Sequence, residues 1–170
     1  MEKDDTLLFV TGARALAERK AAVLWAWEVL RARINVLPRN ACILTGGCPR
    51  SPDEWAYEIG RTRKLTVVEY KLDGRRYVNS QIEERNSEWR MPDVVPPGSR
   101  PGEPGWPHIR NAALIEGALA ALNAGWDVSV LAVLAPWSKT HGAVTTADRA
   151  ERAGLTVIRE TASATIGLAE

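Results

Sequence analysis

The chain has 170 residues, of which 45% are hydrophobic and 25% charged, and a formal net charge of +1. That is enough chain for a single globular domain with a sizeable core, and it excludes disorder as the default state. The near-neutral balance gives no electrostatic case for nucleic acid or an anionic membrane surface.

The first residues carry acids and then a short apolar run, whereas a secretory signal needs a basic start and a longer apolar stretch. No run of about 18 apolar residues occurs, so no membrane span is expected and a cytoplasmic location is. Leu7 to Val10 reads as a buried strand stopped by Thr11-Gly12. Arg14 to Arg33 follows with Ala17, Ala21, Leu24, Trp25 and Val29 at helical spacing. Trp25 and Trp27 are two apart and cannot both face the core of such a helix, which makes a homo-oligomer a candidate. Cys42 to Thr45 is a second strand stopped by Gly46-Gly47, and Asp53 to Arg63 is a helix announced by Ser51-Pro52. Leu65 to Tyr70 is a third strand.

The pattern then breaks. Residues 74–107 form an insert with many charges and six prolines. Val78 to Arg90 is expected to be a short polar helix, and Met91 to Pro107 to lack regular structure. A connection this long is functional or disordered. Order returns with a helix from Ile109 to Asn123 closed by Ala124-Gly125. Val128 to Leu134 is the most apolar strand and is expected at the centre of the sheet. Ala143 to Ala153 is a helix, and Leu155 to Ile158 a last strand. The tail from Thr161 is a short helix or frayed. Strands alternating with helices predict an α/β fold: three layers, with helices on both faces of a mostly parallel five-stranded sheet. Ligands of such sheets bind beyond the carboxyl ends of the strands.

The turns at those ends carry the candidate site. Thr11-Gly12-Ala13-Arg14 offers a close backbone approach and a guanidinium for an anion, or else a strand-ending turn with a solvated arginine. Gly46-Gly47 follows the second strand, and Asp53 is either an acid of the helix start or a contact to a ribose or base. Ser138-Lys139-Thr140-His141-Gly142-Ala143 supplies hydroxyls, charge and backbone donors before a helix, although Lys139 and His141 also read as plain loop residues. Arg110-Asn111 is placed in the first turn of its helix, where the dipole disfavours a cation. That position suggests an anion nearby, the alternative being a surface pair with Glu54 or Glu116. Cys42 and Cys48 read as free thiols. No CxxC occurs and His108 and His141 lie far apart, so neither a metal nor a cofactor is expected. The phosphate-loop pattern GxxxxGK[ST], the dinucleotide pattern GxGxxG and the nucleophile elbow GxSxG are all missing.

These elements, in this order, resemble the SLOG superfamily, the Rossmann-like group that includes the DNA-processing protein and the lonely guy enzymes, and within it the YspA-like phage and bacterial branch. The first turn matches a TG-x-R pattern at Thr11-Gly12-Ala13-Arg14. Gly46 to Ala56 is similar to GG-x-x-x-G-A-D-x-x-A, with Ser51 where glycine is usual. Gly105 to Asn111 is similar to G-x-x-R-N, and Gly142-Ala143 with Ala150 to Gly154 is similar to the last turn and helix end. The likeness covers most of residues 7–160 outside the insert. It implies binding of a nucleotide or nucleotide-derived ligand, as a sensor or sequestering protein in phage–host conflict. The lonely guy signature PGGxGTxxE is not intact: Ala143 replaces its threonine and Thr146 its glutamate.

Three functions follow as expectations. The first is ligand binding: phosphate on the amides near Gly46-Gly47 and Gly142, Arg14 and Arg110 neutralising it, and Trp89 or Trp106 of a lid-like insert stacking on the base. The second is a nucleotide hydrolase or N-glycosidase with Asp53, Glu54 or Glu116 as acid. The third is an oligomeric interaction module. Arg75, Arg76, Arg85 and Arg90 of the insert are interleaved with Glu83, Glu84 and Glu88, which disfavours a nucleic-acid groove.

Overall fold

The computed structural model describes residues 5–82 and 105–169. Seven strands form one sheet: β1 (Thr6–Gly12), β2 (Cys42–Thr45), β3 (Thr66–Tyr70), β4 (Arg76–Val78), β5 (Gln81–Ile82), β6 (Asp127–Leu134) and β7 (Thr156–Thr161). Their order is β5-β4-β3-β2-β1-β6-β7. The five expected strands are all present and run parallel to one another. The helices are α1 (Lys20–Asn35), α2 (Pro52–Thr62), α3 (Trp106–Asn123) and α4 (Gly142–Arg152).

Alternation along the strands sorts the core into two layers. Leu8, Val10, Ile43, Val67, Leu131 and Val133 face the side covered by α1 and α2. Leu7, Phe9, Leu44, Val68 and Val130 face α3, while Ala132 and Leu134 meet Ala147 of α4. The result is a Rossmann-like α/β/α arrangement. Ala22, Ala26, Leu30 and Ile34 form the buried stripe of α1, and Trp25 and Trp27 flank it, each partly buried. Gly60 lets α2 lie close on the sheet, because a Cβ there would come within 2.7 Å of Ile43.

The structure differs from the expected elements in five places. The sheet has seven strands rather than five, because β4 and β5 add antiparallel to β3. The signal was Asp73-Gly74, a pair typical of hairpin turns. Asp73 accepts from the Arg75 amide at 2.9 Å and from the Tyr77 hydroxyl, which closes the turn. The expected helix from Val78 is not formed over its described part: Asn79 and Ser80 both have positive φ, a turn conformation, and lead into β5. Residues 83–90 of that segment, and 91–104 of the stretch expected to lack regular structure, lie outside the described residues. The first helix is interrupted. A 3-10 turn over Arg14–Glu18 is followed by an extended Arg19 before α1 begins. The Arg19 guanidinium donates to the carbonyls of Ala164 and Ile166 and lies 3.8 Å over the Trp137 ring, so tertiary contacts hold a break that no glycine or proline announces.

α3 begins three residues earlier than expected, at Trp106, with Pro107 in the first turn, where its missing N–H costs nothing. Finally, β6 is not central: it lies between β1 and β7, and β1 is the middle of the five parallel strands. Its apolarity reflects helices on both faces rather than its place in the order. The tail continues β7 to Thr161, and Ala162 is buried with its amide on the Leu134 carbonyl. Among the described residues no helix is long and apolar enough to cross a membrane.

Candidate functional site where the strand order reverses

From β1 the chain adds β2 and β3 on one side, then crosses to place β6 and β7 on the other. Loops leaving β1 and β6 therefore diverge, and a cleft opens between them at the carboxyl ends of the strands. The cleft measures about 500 Å³ and has an apolar floor of Val10, Leu114 and Leu134. The candidate residues Gly12, Ala13, Arg14, Gly46, Asp53, Arg110, Asn111, Ser138, Gly142 and Ala143 all line it, whereas Gly47 does not. Cys48, His108, Thr140, His141 and Thr161 also line it. Of these, the two histidines had a signal, since each stands at or just inside a helix start.

Each loop has its own logic. At the end of β1, the Ala13 amide donates to the Val133 carbonyl at 2.9 Å, which ties the loop to β6. Gly12 is required by packing, since a Cβ would fall 2.2 Å from the Pro52 ring at the start of α2. Arg14 is exposed and faces the cleft.

The loop after β2 satisfies itself. The Gly47 amide donates to Thr45 Oγ1 at 3.0 Å and the Cys48 amide to Asp53 Oδ2 at 3.3 Å. Ser51 caps α2 by accepting from the Asp53 amide, while its hydroxyl donates to the Cys48 carbonyl at 2.7 Å. The amides of Gly47 and Cys48 are thus already engaged inside the protein. Gly47 takes φ +66, and a Cβ there would meet the Glu69 carboxylate at 2.9 Å.

Arg110 holds this loop from the other side. Nη1 donates to the carbonyls of Gly46 at 2.5 Å and Tyr70 at 3.1 Å, Nη2 to Cys48 Sγ at 3.3 Å, and Nε to Asn111 Oδ1 at 2.9 Å. Four of its five donors are engaged. Gly46 is small for this reason: a Cβ would sit 2.7 Å from the guanidinium carbon. Arg110 lies in the second turn of α3, because the helix starts at Trp106, and it is only 6% exposed. It is not a surface partner of Glu54 or Glu116. Glu54 accepts from the Arg50 amide, Glu116 is exposed, and neither lines the cleft.

Asp53 is buried beside this guanidinium. Burial pushes its carboxyl up to about 6, while Arg110 and the amides of Cys48 and Gly46 pull the other way. Burial and the Asp53 charge push the Cys48 thiol up, against Arg110 and Arg14. Burial, with Asp5, pushes Cys42 up to about 12. Both cysteines are free.

On the far wall, the Ser138 hydroxyl donates to the Thr140 carbonyl at 2.8 Å. α4 starts at Gly142, where a Cβ would meet nothing within 4 Å. The first amides of a helix have no partner within it, so this turn presents donors to the cleft that Arg14 also lines. Thr146 is buried and its hydroxyl donates to the Gly142 carbonyl at 2.8 Å, a bond within α4. Lys139 is exposed and off the cleft. Trp106 does not stack across it either: the indole is buried and its N–H donates to the Leu72 carbonyl at 2.8 Å. Trp89 lies outside the described residues. Among the described residues no group of three His, Cys, Asp or Glu side chains is placed to hold a metal ion.

One loop is therefore locked, the start of α4 and the exposed Arg14 offer helix amides and a guanidinium to the cleft, and Val10, Leu114 and Leu134 add apolar lining. Compared with protein-family models, with curated proteins and with solved structures, the chain matches none of them.

Proposed function

We propose that the chain binds a nucleotide or nucleotide-derived phosphate ligand in the cleft between β1 and β6. The observation that carries this reading is the place of Arg14, Gly142 and Ala143 around an apolar-floored cleft where the strand order reverses. The phosphate end belongs against Arg14 and the first turn of α4. The loop of Gly46 to Cys48 does not supply it, because the Gly47 and Cys48 amides are engaged by Thr45 and Asp53. Arg110 positions that loop and contributes positive potential, with at most one donor to spare. The order of the motifs is similar to the SLOG superfamily, and a sensing or sequestering role in phage–host conflict is what that likeness implies.

Binding is favoured over hydrolysis by the state of the acids. Among the described residues Asp53 is the only acidic side chain lining the cleft, and its carboxylate already accepts from the Cys48 amide. Thr146 stands where the lonely guy signature has its glutamate, and its hydroxyl bonds within α4.

A thermal-shift series with nucleoside mono- and diphosphates, ADP-ribose, NAD and cyclic nucleotides tests this. A ligand at about 100 times its Kd adds about 2.7 kcal/mol, a rise of about 5–10 °C in Tm for a chain of this size. Arg14→Ala and Gly142→Val are expected to abolish the rise without lowering the unliganded Tm, since Arg14 is exposed and the new side chain at 142 enters open space. No rise with any nucleotide, in protein free of co-purified ligand, contradicts the proposal.

A further inference from the structure

Asn111 of α3 lines the cleft and is half-buried. Its neighbour Arg110, only 6% exposed, donates through Nε to Asn111 Oδ1 at 2.9 Å. A guanidinium carries donors and no acceptor, so the atom turned towards it is the amide oxygen and not the amide nitrogen. Arg110 is itself held in place, because Nη1 and Nη2 donate to the Gly46 and Tyr70 carbonyls and to Cys48 Sγ. The Asn111 amide is thus oriented by a buried group with little freedom to turn. Its oxygen is engaged, and its Nδ2 has no acceptor among the described residues. Asn111 therefore offers the cleft two N–H donors and no free carbonyl partner for a donor.

We propose that Asn111, locked by Arg110, is a specificity-determining residue that makes this cleft take a purine nucleotide with a keto oxygen on its base, guanine or hypoxanthine, over adenine. The inference rests on the ligand-binding reading above and names its ligand class. Leu114 stands three positions further along the same face of α3 and, with Val10 and Leu134, gives the cleft its apolar lining. A flat base packs against that lining, with its phosphate at Arg14 and the first turn of α4, and turns its polar edge to Asn111. A keto purine presents a carbonyl oxygen and a ring nitrogen side by side, both acceptors, whereas adenine has an amino donor beside the same ring nitrogen. Asparagine reads adenine with both ends of its amide, the oxygen accepting from the amino group while the nitrogen donates to the ring. That pairing needs the oxygen that Arg110 already holds. A keto base meets the Asn111 donors with acceptors. Adenine sets a donor against a donor and leaves both unpaired, which costs more than a bond that is merely missing.

The experiment is calorimetric titration of the full chain with inosine, guanosine and adenosine 5′-monophosphates. Inosine and adenosine monophosphates share sugar and phosphate, so their affinity ratio isolates the base edge. General effects of a substitution on fold or charge cancel in that ratio. The wild type is expected to bind the inosine and guanosine nucleotides about tenfold tighter than the adenosine nucleotide, the scale of one hydrogen bond. Asn111→Ala places a good helix former at a half-buried position and is expected to keep the unliganded Tm, while the ratio falls to about one. Asn111→Asp puts an acceptor where the donors were, still beside Arg110, and is expected to turn the preference towards adenosine monophosphate. Equal or tighter binding of adenosine monophosphate by the wild type overturns the assignment and leaves the binding reading standing. A keto preference that survives in Asn111→Ala overturns Asn111 as its source. Absence of binding by all three probes, in ligand-free protein, overturns the assignment; the nucleotide series above then decides the binding reading.

Discussion

Asp53 shows how one residue can be visible in a sequence and still be misjudged in role. Its place two residues after Ser51 marks the start of α2, and the structure keeps it there, in the first turn. What no local pattern reveals is that its carboxylate turns back to hold the Cys48 amide, near the guanidinium of an arginine 57 positions later. A consequence follows for stability. The folded carboxyl is raised to about 6, above the ordinary unfolded value of about 3.9, so the folded state binds the proton more tightly. Protonation therefore favours folding, and the contribution of Asp53 declines as pH rises from about 4 to about 6, then stays constant. Urea unfolding of the wild type and Asp53→Asn across that range checks this. The wild type is expected to lose stability relative to the variant as pH rises through the window, by about 1.4 kcal/mol for each unit separating the two pKa values. A constant difference contradicts it. Gly12 and Gly46 were similarly legible as small residues at strand ends. Their reasons are contacts with Pro52 and Arg110, which arrive from distant parts of the chain.

At the scale of elements, the strands and helices of the parallel core follow from apolar runs and their punctuation, because each is long enough to show its period. The misplacements have separate physical causes. β4 and β5 are three and two residues long, too short to display alternation, and only the Asp73-Gly74 turn marks them. The break at Arg19 is held by the carbonyls of Ala164 and Ile166, from the other end of the chain. The early start of α3 places Arg110 a turn deeper than expected, and this converts a surface cation into a buried clamp joining α3 to the ends of β2 and β3. Arg110→Met removes the clamp at similar volume. It leaves the Gly46 and Tyr70 carbonyls without this donor and Asp53 without its cation, a loss of about 3–5 kcal/mol at neutral pH. The cost is expected to shrink towards pH 5, where Asp53 is protonated. Denaturant unfolding at both pH values measures it, and a loss under about 1 kcal/mol would show that Arg110 is not the clamp described.

For the whole molecule, the cleft exists because the chain reverses direction across the sheet after β3, so that β1 and β6 become neighbours. Alternating strand and helix signals predict a parallel sheet but do not specify strand order, which is why β6 was expected at the centre. They do specify that loops of one kind gather at one edge. That is why Gly12 to Arg14, Arg110-Asn111 and Ser138 to Ala143 could be grouped before their positions were known. Which of those loops faces a ligand with open donors depends on side chains that fill the others, and that is decided only in three dimensions. In the function proposed above, the first turn of α4 and Arg14 receive the phosphate, while the loop of Gly46 to Cys48 is closed by its own hydrogen bonds. Backbone amide chemical shifts in a titration of isotope-labelled protein with a nucleotide monophosphate test it most directly. The expected result is large, saturable shifts at Arg14 and Gly142 to Val144, with Gly46 to Cys48 moving little. Shifts centred on Gly46 to Cys48, on another face of the protein, or on no residue at all, would contradict it.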